Sequence, residues 1–182
     1  MTEEKKNRHL SLNGDVSESS VESIIKDIQE INRHDDEKEK KEIDYVREPI
    51  HLMVNTYGGS IYDGFALVAA MELSKTPIHT YCLGKAMSMG FMIMIAGHKR
   101  YAHPFATFMY HDGASWNIGT TVQQERSLAE MKRLDKIYDD YVLKRTNLLQ
   151  EKLDSVKLAV DNWFISAEDA KKLGVIDDLL GA

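Results

Sequence analysis

Ser88 stands in GKAMSMGFMIMIAG, residues 84–97, a run otherwise built from methionine, isoleucine, phenylalanine, alanine and glycine with one lysine. A hydroxyl in such a helix can bond back to a carbonyl one turn earlier and do nothing more. It can also be a nucleophile. That needs an imidazole to take its proton and backbone N–H groups aimed at the developing oxyanion. His111 closes the run FMYH, just before the glycine-bearing loop DGASWNIG, residues 112–119. Gly58 and Gly59 in TYGGS end a further apolar run, where bare backbone could donate. Lys85 lies three residues before Ser88 and is a rival base. AMSMG is not the G-x-S-x-G elbow of α/β-hydrolases, because Ala86 stands where that motif has glycine.

Other chemistries find less support. The histidines are His9, His34, His51, His79, His98, His103 and His111, with no HExxH pair and a single cysteine, Cys82. No metal and no cofactor is therefore expected. Cys82 in YCLG reads as a buried core thiol, consistent with a reducing compartment. The net charge is −6 and no segment forms a basic stripe, so nucleic acid is not an expected partner. The most apolar run, Leu83 to Gly97, is too short for a bilayer, which needs about 20 residues. MTEEKKNRHL carries no apolar signal-type stretch. These readings favour a soluble, cytoplasmic protein without membrane contact.

Strands and helices must bring the candidates together. HLSLNGDV alternates like a short strand ending in a turn. In SESSVESIIKDIQEIN, Val21, Ile24, Ile25, Ile28 and Ile31 recur at helical spacing, with Ser19 and Glu22 as a candidate capping box. The eight charges DDEKEKKE, residues 35–42, read as a solvated loop or helix extension within a charged insertion at 34–48. PIHLMVN and IHTYCLGK read as strands, with the helix SIYDGFALVAAMELSK between them, stopped near Pro77. AMSMGFMIMIAG is apolar all round and should be a buried helix opened by Ser88, whose N-terminus favours negative charge. KRYAHPFATFMYH gives two short strands around Pro104. A long amphipathic helix should run from Thr120 to about Asn147, with Leu128, Met131, Leu134, Tyr138 and Tyr141 on one face. LLQEKLDSVKLAV is a further helical segment, SAEDAKKLG a short helix stopped at Gly174, and VIDDLL an end strand. Alternating strands and helices define an α/β class with a largely parallel sheet, in one domain over residues 1–182 with a polar tail at 1–9. Strand ends on one sheet edge are where such proteins place sites.

Four segments carry a family resemblance. NTYGGSIYDG resembles the Asn-Ser-Pro-Gly-Gly segment of Clp protease proteolytic subunits, and GKAMSMGF their Gly-x-Ala-Ala-Ser-Met-Gly. FMYHDG is similar to their Val-Met-Ile-His-Gln-Pro, and FISAEDAKKLGVID to their Phe-Met-Ser-Ala-Glu-Glu-Ala…Gly-Leu-Ile-Asp. The order matches from about residue 10 to the end. The resemblance implies a crotonase-like superfold of repeated β-β-α units with a protruding handle helix, here the one from Thr120. It implies Ser88 as nucleophile, His111 as general base, and Gly59 and Met89 as oxyanion donors. It implies polypeptide substrates cleaved inside heptameric rings, stacked in pairs, with an AAA+ unfoldase ATPase as partner.

The sequence departs from that family at several places. Anchoring on Phe164-Ile165-Ser166-Ala167 puts Asn162 where the family has its triad aspartate, and a shift of one residue puts Asp161 there. Asparagine can orient an imidazole but cannot stabilise imidazolium by charge. Tyr57 replaces the family proline before Gly58, freeing φ in the oxyanion loop. About nine residues precede the first strand, fewer than the family's axial segment, which leaves the gate and the ATPase partnership open. Two other functions compete with a Ser-His-Asp/Asn endopeptidase. One is a crotonase-type acyl-CoA enzyme, which needs no Ser–His pair. The other is a catalytically weak ring acting as a structural or binding partner.

Overall fold

A computed structural model describes residues 6–113 and 118–181. Leu10 and Leu12 of β1 (His9–Asn13) and Ile50, Leu52 and Val54 of β2 (Ile50–Asn55) all point into the core. The two strands pair in parallel because α1 (Glu18–Lys41) returns the chain between them. The same device repeats. α2 (Ile61–Glu72) joins β2 to β3 (Ile78–Cys82), and β5 (Lys99–Ala102) and β8 (Asp178–Leu179) extend the sheet to the order β1-β2-β3-β5-β8, parallel throughout. Its less buried face carries a row of rings, with His9 stacked on His51 at 4.9 Å and Tyr81 on Tyr101 at 5.1 Å.

A second sheet orders β4 (Lys85–Met87), β6 (Thr107–Tyr110) and β7 (Trp163–Ser166). β4 is parallel to β6, and β6 antiparallel to β7. The units β3-β4-α3 and β5-β6-α4 are β-β-α repeats, with α3 at Met89–Ile95 and α4 at Thr121–Arg145. In the first two repeats the short second strand shrinks to one bridging residue, Val16 before α1 and Thr56 before α2. All seven residues of α3 are buried, as its all-round apolarity requires. Cys82 is fully buried, and burial pushes its thiol up to about 12.

Several boundaries differ from the sequence reading. The cap of α1 is Ser17 with Ser20, not Ser19 with Glu22. DDEKEKKE continues α1 through Lys41, the helix extension of its two readings, and the rest of the charged insertion, 42–48, lies outside the helix. Asp35 within it is buried against Arg8, which itself was assigned to the polar tail. Residues 1–5 of that tail, and 114–117 of the loop DGASWNIG, lie outside the described residues. On α4, Leu134 and Tyr138 are buried while Leu128 is about half exposed. The segment after it forms α5 (Gln150–Ala159), and α6 (Ala167–Lys172) stops before Gly174 at φ 69°. Among the described residues no helix is long and apolar enough to cross a membrane.

Candidate active site

β4 delivers Ser88 to the start of α3, and β6 delivers His111 beside it. The parallel pairing of Met87 with Met109 sets the two strand ends level. Ser88 Oγ and His111 Nε2 are 2.8 Å apart, a hydrogen bond in which the hydroxyl donates when the imidazole is neutral at Nε2. Ser88 has φ 51° and ψ −123°, outside the regions an L residue prefers. Its backbone bonds hold it there, among them a longer one from the Met92 amide to its carbonyl at 3.4 Å. Its N–H donates to Met109 O at 2.9 Å, its carbonyl accepts from Phe91 N–H at 2.9 Å, and Tyr138 Oη of α4 donates to the same carbonyl at 2.8 Å. Tyr138 was legible only as part of an apolar face, so its role as an anchor of Ser88 was missed.

The glycine pair lies against this turn. A Cβ on Gly58, at φ 109°, would meet Ser88 Cβ at 2.7 Å and Met89 N at 3.1 Å. A Cβ on Gly59, at φ 147°, would collide with the Val16 carbonyl. Gly59 bridges Val16 through bonds that use the amides of Val16 and Ser60, at 2.8 Å each. A parallel bridge of that kind leaves the N–H of Gly59 itself directed to the other side. Met89, first residue of α3, has an amide with no partner one turn back. Both residues line the cavity of about 670 Å3 that Ser88 and His111 share.

The remaining candidates separate. Lys85 Nζ sits 4.3 Å from the centre of the Tyr57 ring and makes no hydrogen bond with Ser88. Asp161 turns back to accept from the amide of Asn162 at 2.8 Å. β6 and β7 pair Tyr110 with Trp163, and one further step of that register sets Asn162 across from His111. Among the described residues no hydrogen bond joins His111 to either of them. Burial holds the His111 imidazole below its ordinary value, while the charges of Asp112 and Asp135 act in the opposite sense.

One group of residues escaped the sequence reading. Asp135 and Asp139 of α4 and Lys157 of α5 line the cavity with His111. Lys157 Nζ lies 2.6 Å from Asp139 and 3.4 Å from Asp112. Tyr110 donates its hydroxyl to Asp139 at 2.6 Å. The only sequence signal was the spacing of four between Asp135 and Asp139, which also fits a solvated helix face.

A layered α/β scaffold with a hydroxyl–imidazole couple and bare amides at its strand ends defines the class. The family model described as Clp protease matches residues 2–182. The ATP-dependent Clp protease proteolytic subunit of Deinococcus radiodurans is 36% identical over 135 residues, 73% of this chain and 65% of that protein's length. The chain belongs to the Clp protease family.

Proposed function

We propose that this chain is a serine endopeptidase. The observation that carries the reading is the 2.8 Å bond between Ser88 Oγ and His111 Nε2 in a cavity that Gly59 and Met89 also line. Ser88 Oγ attacks the peptide carbonyl carbon as His111 Nε2 takes its proton. The carbonyl oxygen becomes an oxyanion facing the amides of Gly59 and Met89. The imidazolium then returns the proton to the departing amine as the C–N bond breaks. Water, deprotonated by His111, releases the acyl group and restores Ser88. Asn162 is the orienting residue we favour, on its register opposite His111, and Lys85 is left with no part in proton transfer. A crotonase-type reaction would have no use for the Ser88–His111 bond.

Substrates are unfolded polypeptides reaching the site inside a ring of seven chains, with rings stacked in pairs. The exposed apolar side chains of Tyr62, Val122, Leu128 and Ile137 support assembly. The Deinococcus relative is named ATP-dependent. An AAA+ unfoldase that hydrolyses ATP is the partner this reading takes. A fluorophosphonate tests the reading. One adduct on Ser88 is expected, lost in Ser88→Ala and slowed by several powers of ten in His111→Ala. Peptide cleavage by Ser88→Ala at the parent rate would refute it.

A further inference from the structure

Position 162 holds asparagine, so the residue set opposite His111 brings no charge. Carboxylates gather around the imidazole from elsewhere. Asp112 is its neighbour in the chain, and Asp135 lines the same cavity from α4. A Cβ at Gly113 would run into the Asp135 carboxylate, and the backbone of Gly113 hydrogen-bonds that group. Asp135 thus lies against the segment that follows His111. Asp139 is paired with Lys157 at 2.6 Å and accepts a hydrogen bond from the Tyr110 hydroxyl. Asp112 shares that Lys157 at a longer 3.4 Å. Among the described residues Asp135 forms no ion pair, and Lys157 acts on it only from a distance. Elsewhere in the wall, Glu130 is held by Arg133 at 2.7 Å and Tyr62 at 2.9 Å, and Arg126 is exposed. One ammonium therefore faces three carboxylates, and the uncompensated charge is negative.

Resting on the peptidase reading, we propose that Asp112 and Asp135 together act through space on His111 and supply the charge that an aspartate at position 162 would provide. The triad's negative member is then displaced onto the handle helix and the turn after β6. The consequence is greatest when His111 becomes imidazolium, because a neutral asparagine cannot offset that charge. Neither carboxylate touches the reacting atoms. Both position charge by way of the imidazole.

Two readouts test this in the whole chain of residues 1–182. The first is NMR titration of the His111 ring. Asp135→Asn, which keeps an acceptor for Gly113, should lower the midpoint by about half a unit or more, and Asp112→Asn should shift it the same way. The second is the rate of fluorophosphonate acylation above the His111 midpoint, expected to fall about tenfold in the Asp112→Asn/Asp135→Asn double variant. In an Asn162→Asp background the charge is local, so the same pair of changes should cost less than about threefold. An unmoved His111 titration overturns the proposal, as does an equal loss in both backgrounds. A shifted titration in a chain that cleaves no peptide would sustain the charge coupling and refute the peptidase reading. If Asp135→Asn does not fold, Asp112→Asn alone carries both readouts and the same criteria.

Discussion

Ser88 holds φ at 51° without being glycine, a conformation that costs on the order of 1–3 kcal/mol and persists only where neighbours enforce it. Tyr138, Met109 and the close approach of Gly58 enforce it here. The strain turns the hydroxyl toward His111 rather than back into α3. Burial lowers the affinity of His111 for a proton, so the acid limb of kcat/KM should fall below the ordinary histidine value of about 6.5. That limb is expected to persist unchanged in Lys85→Gln and to vanish with His111→Ala. A pH–rate profile measured on a short fluorogenic peptide decides the matter, and a limb that moves with Lys85 would hand the base role to lysine. Ser88, His111 and the glycines were legible because each sits in a short local pattern with its chemistry attached. Asp112, Asp135 and Lys157 were not. They meet only through the packing of α4 and α5 beside β6, and on paper each belongs to an ordinary charged surface. Tyr57 was expected to loosen the glycine turn. Its ring also lies under Lys85, occupying the rival base.

At the scale of elements, α1 shows how a charge run can be structural. Its first four turns follow the apolar period read from Val21 to Ile31, with Val21, Ile24, Ile28 and Ile31 buried and Ile25 partly so. The continuation through DDEKEKKE was ambiguous, because its partners are distant in sequence. Asp35 reaches Arg8, Thr76 and Tyr45, and Asp36 reaches Arg47 and Lys75. Burial pushes the Asp35 carboxyl up, but hydrogen bonds from Arg8, Thr76 and Tyr45 outweigh it and hold the group at about 2. A carboxylate depressed in the folded state adds stability above its unfolded value of about 3.9 and loses it as pH falls. The protein should therefore lose stability between about pH 4 and pH 2 through this group. Asp35→Asn leaves Arg8 buried without its counter-charge and should cost about 3–5 kcal/mol at pH 7. Urea unfolding at pH 7 and pH 3 measures both. A loss that stays the same at the two pH values would assign the effect to packing instead.

Across the whole molecule, α4 is the element least accounted for by one chain. Its buried residues, Leu134, Tyr138, Asp139 and Val142, all lie in its second half. The first half carries exposed Val122 and Leu128, with Ile118 just ahead of it. Static light scattering at micromolar concentration should give a mass several times the 20.7 kDa of one chain. Val122→Glu/Leu128→Glu should reduce that mass, and a clean single-chain mass for the parent would contradict assembly through this helix. The order of strands has a different consequence. In the five-stranded sheet each strand joins the edge left by the one before it in the chain, β1 to β8 without a reversal. A chain leaving the ribosome at about 5–20 residues per second can therefore lay down its sheet as it emerges, with no strand waiting for a later one to fill a gap. The second sheet follows the same rule, and β7, just after Asn162 in the chain, arrives after all the rest of that sheet. On the peptidase reading proposed above, a centre that awaits Asn162 is completed late, when all of the first sheet but its edge strand β8 has already been laid down.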